Sequence, residues 1–318
     1  MDMTHSKGLA GLLLATALTL AGGAAAAPDG KVLQWFPQQI RDASPEVATR
    51  FDLAPGVQYG YVYCRNLFGH PGDVHAVRIE LGKAKLRPHI DEGALLPDKK
   101  GRLKTTSAAA AAHNALFSLN GGFFKWSDLI PYYRMKIDGV LLPSNAGGTL
   151  GLAFSNDGSR VKVGRVKDDE LPLWDNFMAG EGLVTGGKCA LDNKKPEGIK
   201  TKPAAPRTLL GMDAEGKYLW VFVTGGRKTG KKPSMGLSYH DAADLLMWFG
   251  CTEGVNMDGG GSTTLAVRAD ALGGAGNPAT PEARPAAAAG GYVILNCTSD
   301  GNERAVLDHI QFWDAKSK

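Results

Sequence analysis

The chain has no CxxC pair and no HExxH arrangement among its seven histidines, and after its first 27 residues no apolar run is long enough to cross a bilayer. Each absence removes a class of function. Without closely spaced cysteines or two histidines on one helix face, a zinc centre has no ligand set to build on. No Asp/His motif is clustered either, so no metal or cofactor is expected. A divalent cation held by Asp258 with other acids is kept as an alternative. Charge of one sign is also scarce: 36 Lys and Arg against 32 Asp and Glu give a formal +4, with the basic residues scattered. That balance gives no argument for a nucleic-acid platform. The one local run, Arg227-Lys228-Thr229-Gly230-Lys231-Lys232, reads as a solvated loop, with attraction of an anionic substrate as its functional alternative.

Cysteine is sparse, with Cys64, Cys189, Cys251 and Cys297 widely spaced. The start of the chain bears on their state. His5 and Lys7 precede the apolar run from Leu9 to Ala21 and a small-residue tract ending at Ala27, which reads as a signal peptide over residues 1–27. A periplasmic or secreted protein follows, with no stable membrane span once the leader is removed. In an oxidising compartment an even cysteine count predicts up to two disulfides, in any of three pairings, with buried thiols as the alternative.

Glycine, by contrast, is abundant, and its densest run carries chemistry. Asn256-Met257-Asp258-Gly259-Gly260-Gly261-Ser262-Thr263-Thr264 joins a carboxylate to a sharp turn and a hydroxyl cluster. Glycine tolerates positive φ, and successive N–H groups in such a turn can form a concavity for an anion.

Periodicity places this run. Residues 57–63 and 74–81 show the β-branched and aromatic alternation of strands, and the alanine-dense stretch 105–115 reads as a helix opened by hydroxyl residues. A short strand at 116–119 then ends in Asn120-Gly121-Gly122-Phe123-Phe124. Short strands are expected at 139–141, 150–154 and 161–163, and a hairpin over 208–223 turning at 213–216. Ser238 and Asp241 form a capping-box pattern for a helix ending at Gly250, and a strand over 254–257 delivers Asp258 into the triple glycine. Residues 269–290 read as a loop before a strand over 292–297. Two helix-strand-glycine units thus point to two glycine turns facing one site. The fold class is α+β: a single domain with a mixed β-sheet, flanking helices and glycine-rich loops forming the site. Its expected parts are a β-rich region over 28–104, a catalytic region over 105–298 and a C-terminal extension over 299–318.

Four pieces in order make the chain resemble the phosphodiester glycosidase family: Asn120-Gly121-Gly122-Phe123-Phe124, Gly182-Leu183-Val184, Pro206-Arg207-Thr208 with Gly211, and the run from Asn256 to Thr264. The resemblance spans about residues 105–295. Arg284-Pro285 is similar to the family pattern as well. One departure stands out: Thr224-Gly225-Gly226-Arg227 occupies the place where many members have Asp-Gly-Arg, so an acidic residue is missing.

The resemblance implies hydrolysis of the sugar C1–O bond of a sugar-1-phosphodiester, and the residue types suit it. Arg207 offers a permanently charged planar fork for phosphate. Gly121, Gly122, Thr208, Gly259, Gly260 and Gly261, with the hydroxyls of Ser262 and Thr263, complete the expected substrate and phosphate contacts. Asn120 can donate to or accept from a sugar hydroxyl or a developing charge. Asp258 is the expected nucleophile or base, and Glu181 the candidate second acid. A phosphate monoester leaves as a stable anion, which lowers the demand for that acid below the usual glycosidase requirement. Phe123 and Phe124 read as core rather than as a sugar-stacking platform. The alternative function, from another class, is a non-catalytic module that binds anionic glycans or cell-envelope polymers through the same turns.

Overall fold

The structure is a computed structural model that describes residues 28–84, 87–90, 102–191, 203–226, 233–272 and 289–317. The leader at 1–27, the basic run at 227–232 and Arg284-Pro285 lie outside the described residues.

Alternation in the tyrosine- and valine-rich segments produces a sheet with two apolar faces. β1 (Pro45–Ala54), β2 (Val57–Leu67) and β3 (His70–Glu80) form a meander. Beyond it lie β13 (Glu181–Thr185), β14 (Lys188–Cys189), β15 (Arg207–Met212), β16 (Tyr218–Thr224) and β17 (Glu253–Asn256). The eight strands run in the order β1-β2-β3-β16-β15-β17-β13-β14. Tyr59, Tyr61, Val77, Ile79, Val221 and Val223 point into one core, and Val62, Val74, Ala76, Trp220 and Phe222 into a second. Successive side chains on a strand take opposite faces, so one run of sequence feeds both cores.

The second core is closed by short helices α1 (Gly30–Leu33) and α2 (Gln38–Arg41), which bring Phe36 and Ile40 against the sheet, and by a longer helix over Tyr239–Trp248. The first core lies between the large sheet and two five-stranded sheets. One of these combines β4 (Arg87–Ile90), β5 (Phe117–Asn120), β18 (Leu265–Arg268), β19 (Tyr292–Ile294) and β20 (His309–Trp313) in the order β19-β18-β5-β20-β4. The other combines β8 (Met135–Ile137), β9 (Val140–Leu141), β10 (Leu150–Phe154), β11 (Val161–Arg165) and β12 (Asn176–Ala179) in the order β11-β10-β12-β8-β9. β6 (Phe124–Lys125) and β7 (Ile130–Pro131) pair as a small ribbon.

The alanine-rich segment forms α3 (Thr106–His113), whose first turn is capped by Thr105 Oγ1 accepting from Ala108 N at 3.3 Å. It stops at Asn114, in the left-handed region at φ 49°. The expected capping box is present: Ser238 and Asp241 cap each other's backbone at the start of α4 (Tyr239–Trp248). Its face of Ala242, Ala243, Leu245 and Leu246 enters the second core.

The α+β class is as expected, with one refinement. Every pairing between the named strands is antiparallel, not mixed. Tight connections such as those joining β1, β2 and β3, or β15 and β16, reverse the chain, whereas parallel neighbours need a long crossover. The segment expected as a C-terminal extension contributes β20 to the middle of a sheet, between β5 and β4.

The expected disulfides are absent: no bond joins Cys64, Cys189, Cys251 or Cys297. Cys64 and Cys251 instead pack in the second core as small apolar side chains, and Cys189 lies against it with its Sγ 3.8 Å from His240 Nδ1. Burial pushes the Cys64 thiol up to about 12 and raises that of Cys251 further, which keeps both as thiols. Among the described residues no helix is long and apolar enough to cross a membrane. No three His, Cys, Asp or Glu side chains among them gather as a metal-binding group.

Candidate active site

The two glycine turns meet because two strands from different sheets end side by side. Asn120 closes β5, and Asp258 stands two residues after β17. Asp258 N donates to Gly121 O at 3.1 Å, and Met257 N to Thr208 O at 2.8 Å, so the turns and the start of β15 form one junction. Asn120 is buried at its centre. Its Nδ2 donates to Asp258 O at 2.7 Å, while its Oδ1 accepts from Thr208 Oγ1 at 2.7 Å and Thr264 N at 3.2 Å. The structure therefore uses Asn120 and Thr208 as a strut beneath the site.

The turn N–H groups are similarly engaged. Gly259 N donates to Asp258 Oδ1 at 2.8 Å, Gly260 N to Pro206 O at 3.0 Å, Ser262 N to Gly259 O and Thr263 N to Gly260 O at 3.2 Å each. Gly260 needs its lack of a side chain, since its φ is +62°. The other turn is held from the chain's end: Gly121 N donates to Asp308 O at 3.0 Å and Gly122 N to Asp308 Oδ1 at 2.7 Å. Of the turn hydroxyls, Ser262 hydrogen-bonds Asp258, whereas Thr263 Oγ1 is buried with no protein partner.

The carboxylates stand in different surroundings. Glu181 begins β13, directly across from Asn256 in the ladder with β17. Its Oε2 accepts from Tyr239 Oη and from Asn256 Nδ2 at 3.2 Å, and its Oε1 from Tyr133 Oη at 3.4 Å. Burial and the neighbouring Glu181 push the Tyr133 phenol up to about 12, so it is a donor at neutral pH. Three donors and a nearby guanidinium surround the Glu181 carboxyl. Asp258 is different: burial raises its pKa, and Glu181 adds to that. The opposing hydrogen bonds from Ser262 and Gly259 N and the charge of Arg304 do not cancel the rise.

Arg207, at the start of β15, is only 6% exposed. Its Nε donates to Leu237 O at 2.9 Å and its Nη2 to Pro203 O at 3.1 Å, with the guanidinium 4.4 Å from the centre of the Tyr239 ring. Burial lowers its pKa to about 10, and Glu181 opposes that shift. Arg207 is thus a buried cation that stacks on Tyr239 and balances Glu181. Phe123 and Phe124 are half-buried; Phe123 packs edge-on to Tyr133 at 5.7 Å.

Several contributing residues escape sequence reasoning. Asn256 sits inside the glycine-rich run, and Tyr239 follows the Ser238 cap, so both lie beside motifs the sequence displays. Asp308 carries the one sequence signal of its own: an acid between Val306-Leu307 and the apolar start of β20. Tyr133 and Arg304 carry none. Beside Thr224-Gly225-Gly226, where the expected acid is missing, stands Asp73 of β3. Its Oδ1 accepts from Gly225 N at 2.8 Å and Ser234 Oγ at 2.7 Å, and a Cβ on Gly225 would lie 2.7 Å from that oxygen. Burial opposes ionisation of Asp73, but His75, Ser234 and Gly225 together hold its pKa below the ordinary value.

Comparisons agree with this architecture. The catalytic domain of zebrafish N-acetylglucosamine-1-phosphodiester alpha-N-acetylglucosaminidase, auto-inhibited by its pro-peptide, is 16% identical with a TM-score of 0.58, covering 87% of this chain and 94% of that one. A hypothetical protein from Synechocystis is 14% identical with a TM-score of 0.57, covering 81% of this chain and 62% of that one. At these identities the likeness is one of fold. No curated protein matches the sequence. The family model described as phosphodiester glycosidase matches residues 113–310, which include both glycine turns, Glu181, Arg207 and Asp308. The chain belongs to the phosphodiester glycosidase family.

Proposed function

We propose that this protein is an exported hydrolase that cleaves the sugar C1–O bond of a sugar-1-phosphodiester, releasing free sugar and a phosphomonoester. The observation that carries the reading is the pairing of two unlike carboxylates at the turn junction. Glu181 is surrounded by donors, whereas burial raises the pKa of Asp258. Glycoside hydrolysis usually uses two carboxyl groups at one site, one acting on the leaving oxygen and the other on C1 or on water.

This division differs from the roles that sequence order alone invites. Glu181, held in place by Tyr239, Asn256 and Tyr133, is suited to attack C1 or to take a proton from the attacking water. Asp258, whose pKa is raised by burial, is suited to donate its proton to the departing phosphate oxygen. As the C1–O bond breaks, its electron pair stays on the phosphate; the oxygen from water ends on the sugar. Arg207 keeps a positive potential beside Glu181, and Asn120 with Thr208 fixes the carbonyl of Asp258. The glycine turn supplies shape and positions Asp258, since most of its donors are already used.

Hydrolysis in heavy-oxygen water tests the route. Label is expected in the sugar; label in the phosphate would mean attack at phosphorus and would end the glycosidase assignment. Calorimetric binding of a sugar phosphodiester with no turnover over many hours would instead favour a glycan-binding module.

A further inference from the structure

We propose that Arg304, lying over the triple-glycine turn, is the specificity-determining residue that recognises the substrate's phosphodiester charge. This rests on the hydrolase reading for its substrate, though not for its anion chemistry. The residue first expected in this role, Arg207, is buried, with Nε and Nη2 committed to main-chain carbonyls and its face to Tyr239. The turn offers few donors in its place, because the N–H groups of Gly259, Gly260, Ser262 and Thr263 are bonded within the protein. An anion at this junction therefore needs another cation.

Arg304 is placed to be that cation. Its side chain is 36% exposed, and it sits so closely on the turn that a Cβ added to Gly261 would overlap both its guanidinium and Asp300 Oδ2. Gly261 is not in the left-handed region, so what its missing side chain leaves room for is the arginine. Asp300 Oδ2 accepts from Nε at 3.1 Å and Nη2 at 2.7 Å, which orients the guanidinium without using Nη1. Such an exposed pair is weak and lets an incoming phosphate share the cation. Arg304 also lies near enough to Asp258 for its charge to act on that carboxyl. A planar guanidinium can offer two parallel donors to a phosphodiester's two free oxygens.

The experiment uses the full chain and two readouts. Binding of inorganic phosphate by calorimetry is expected to weaken about tenfold or more in Arg304→Gln, as loss of a charged hydrogen-bond partner implies, and by only about threefold in Arg304→Lys. Gly261→Ala, which forces the guanidinium off the turn, is expected to match Arg304→Gln in phosphate affinity while keeping the wild-type melting temperature. Steady-state kinetics then compare a methyl glucose-1-phosphodiester with a neutral aryl glucoside. KM for the phosphodiester should rise about tenfold in Arg304→Gln, and KM for the neutral glucoside should stay constant. Equal phosphate binding by wild type and Arg304→Gln, or no phosphate binding by wild type, overturns the assignment. Arg304-dependent phosphate binding without turnover of any phosphodiester would sink the hydrolase reading and leave this one. Turnover with a KM indifferent to Arg304 would do the reverse.

Discussion

Asn120 Nδ2 donates to the main-chain carbonyl of Asp258 at 2.7 Å, and this bond ties the end of one sheet to the glycine turn that follows a strand of another. The amide's oxygen is used just as fully, by Thr208 Oγ1 and Thr264 N. Under the proposed reaction, Asn120 would act through Asp258 as a positioning residue.

Asn120→Ala leaves three buried partners without their hydrogen bonds, so we expect a loss of about 3 kcal/mol of stability, read as a fall in the urea midpoint at unchanged m-value. Activity should fall with it, even under conditions where the variant remains folded. A variant of wild-type stability and wild-type kcat would show that the strut is dispensable.

Asp258 links activity and stability to pH with a definite sign. Its folded pKa is raised by burial, so the ionised form is penalised in the native state. That penalty is full above the folded pKa and vanishes as pH falls through the unfolded value, about 3.9. Asp258→Asn should therefore melt higher than wild type at neutral pH, with the gain disappearing in acid. Its turnover should drop about 10²- to 10⁴-fold, as for removal of a general acid. With Asp258 as proton donor, wild-type kcat/KM declines as pH rises through its raised pKa. A rate that climbs through that limb would make it the base.

The thiols give a third test. Without disulfides, thermal melts with and without reductant should coincide, and titration in denaturant should find four thiols per chain. In the folded protein Cys64 and Cys251 should react slowest, since burial both shields them and raises their pKa. A melting temperature that falls on reduction would restore a disulfide.

Local patterns were legible wherever their cause is local. The Ser238–Asp241 cap, the hairpin from β15 to β16 and the bend at the triple glycine each depend on neighbouring residues, and each is present in the structure. The α+β class and the two converging glycine turns were legible in the same way. The cysteines show the opposite case: an even count constrains pairing only if sulfurs meet, and the second core holds two of them as separate apolar side chains.

The sequence by itself determined which residues were available for chemistry, because the motifs set the carboxylate, the turns and the arginine in order along the chain. Only the tertiary structure decided what each of them is free to do. Arg207 and Asn120 look like ligand-binding groups in one dimension, yet burial obliges their polar atoms to find partners, and Leu237, Pro203, Asp258 and Thr208 provide them. Glu181 reads in one dimension only as a candidate second acid, and it is β17 and α4 that bring Asn256 and Tyr239 to it. Long-range packing assigns hydrogen-bond partners, and those partners decide which polar atoms remain free to meet a ligand.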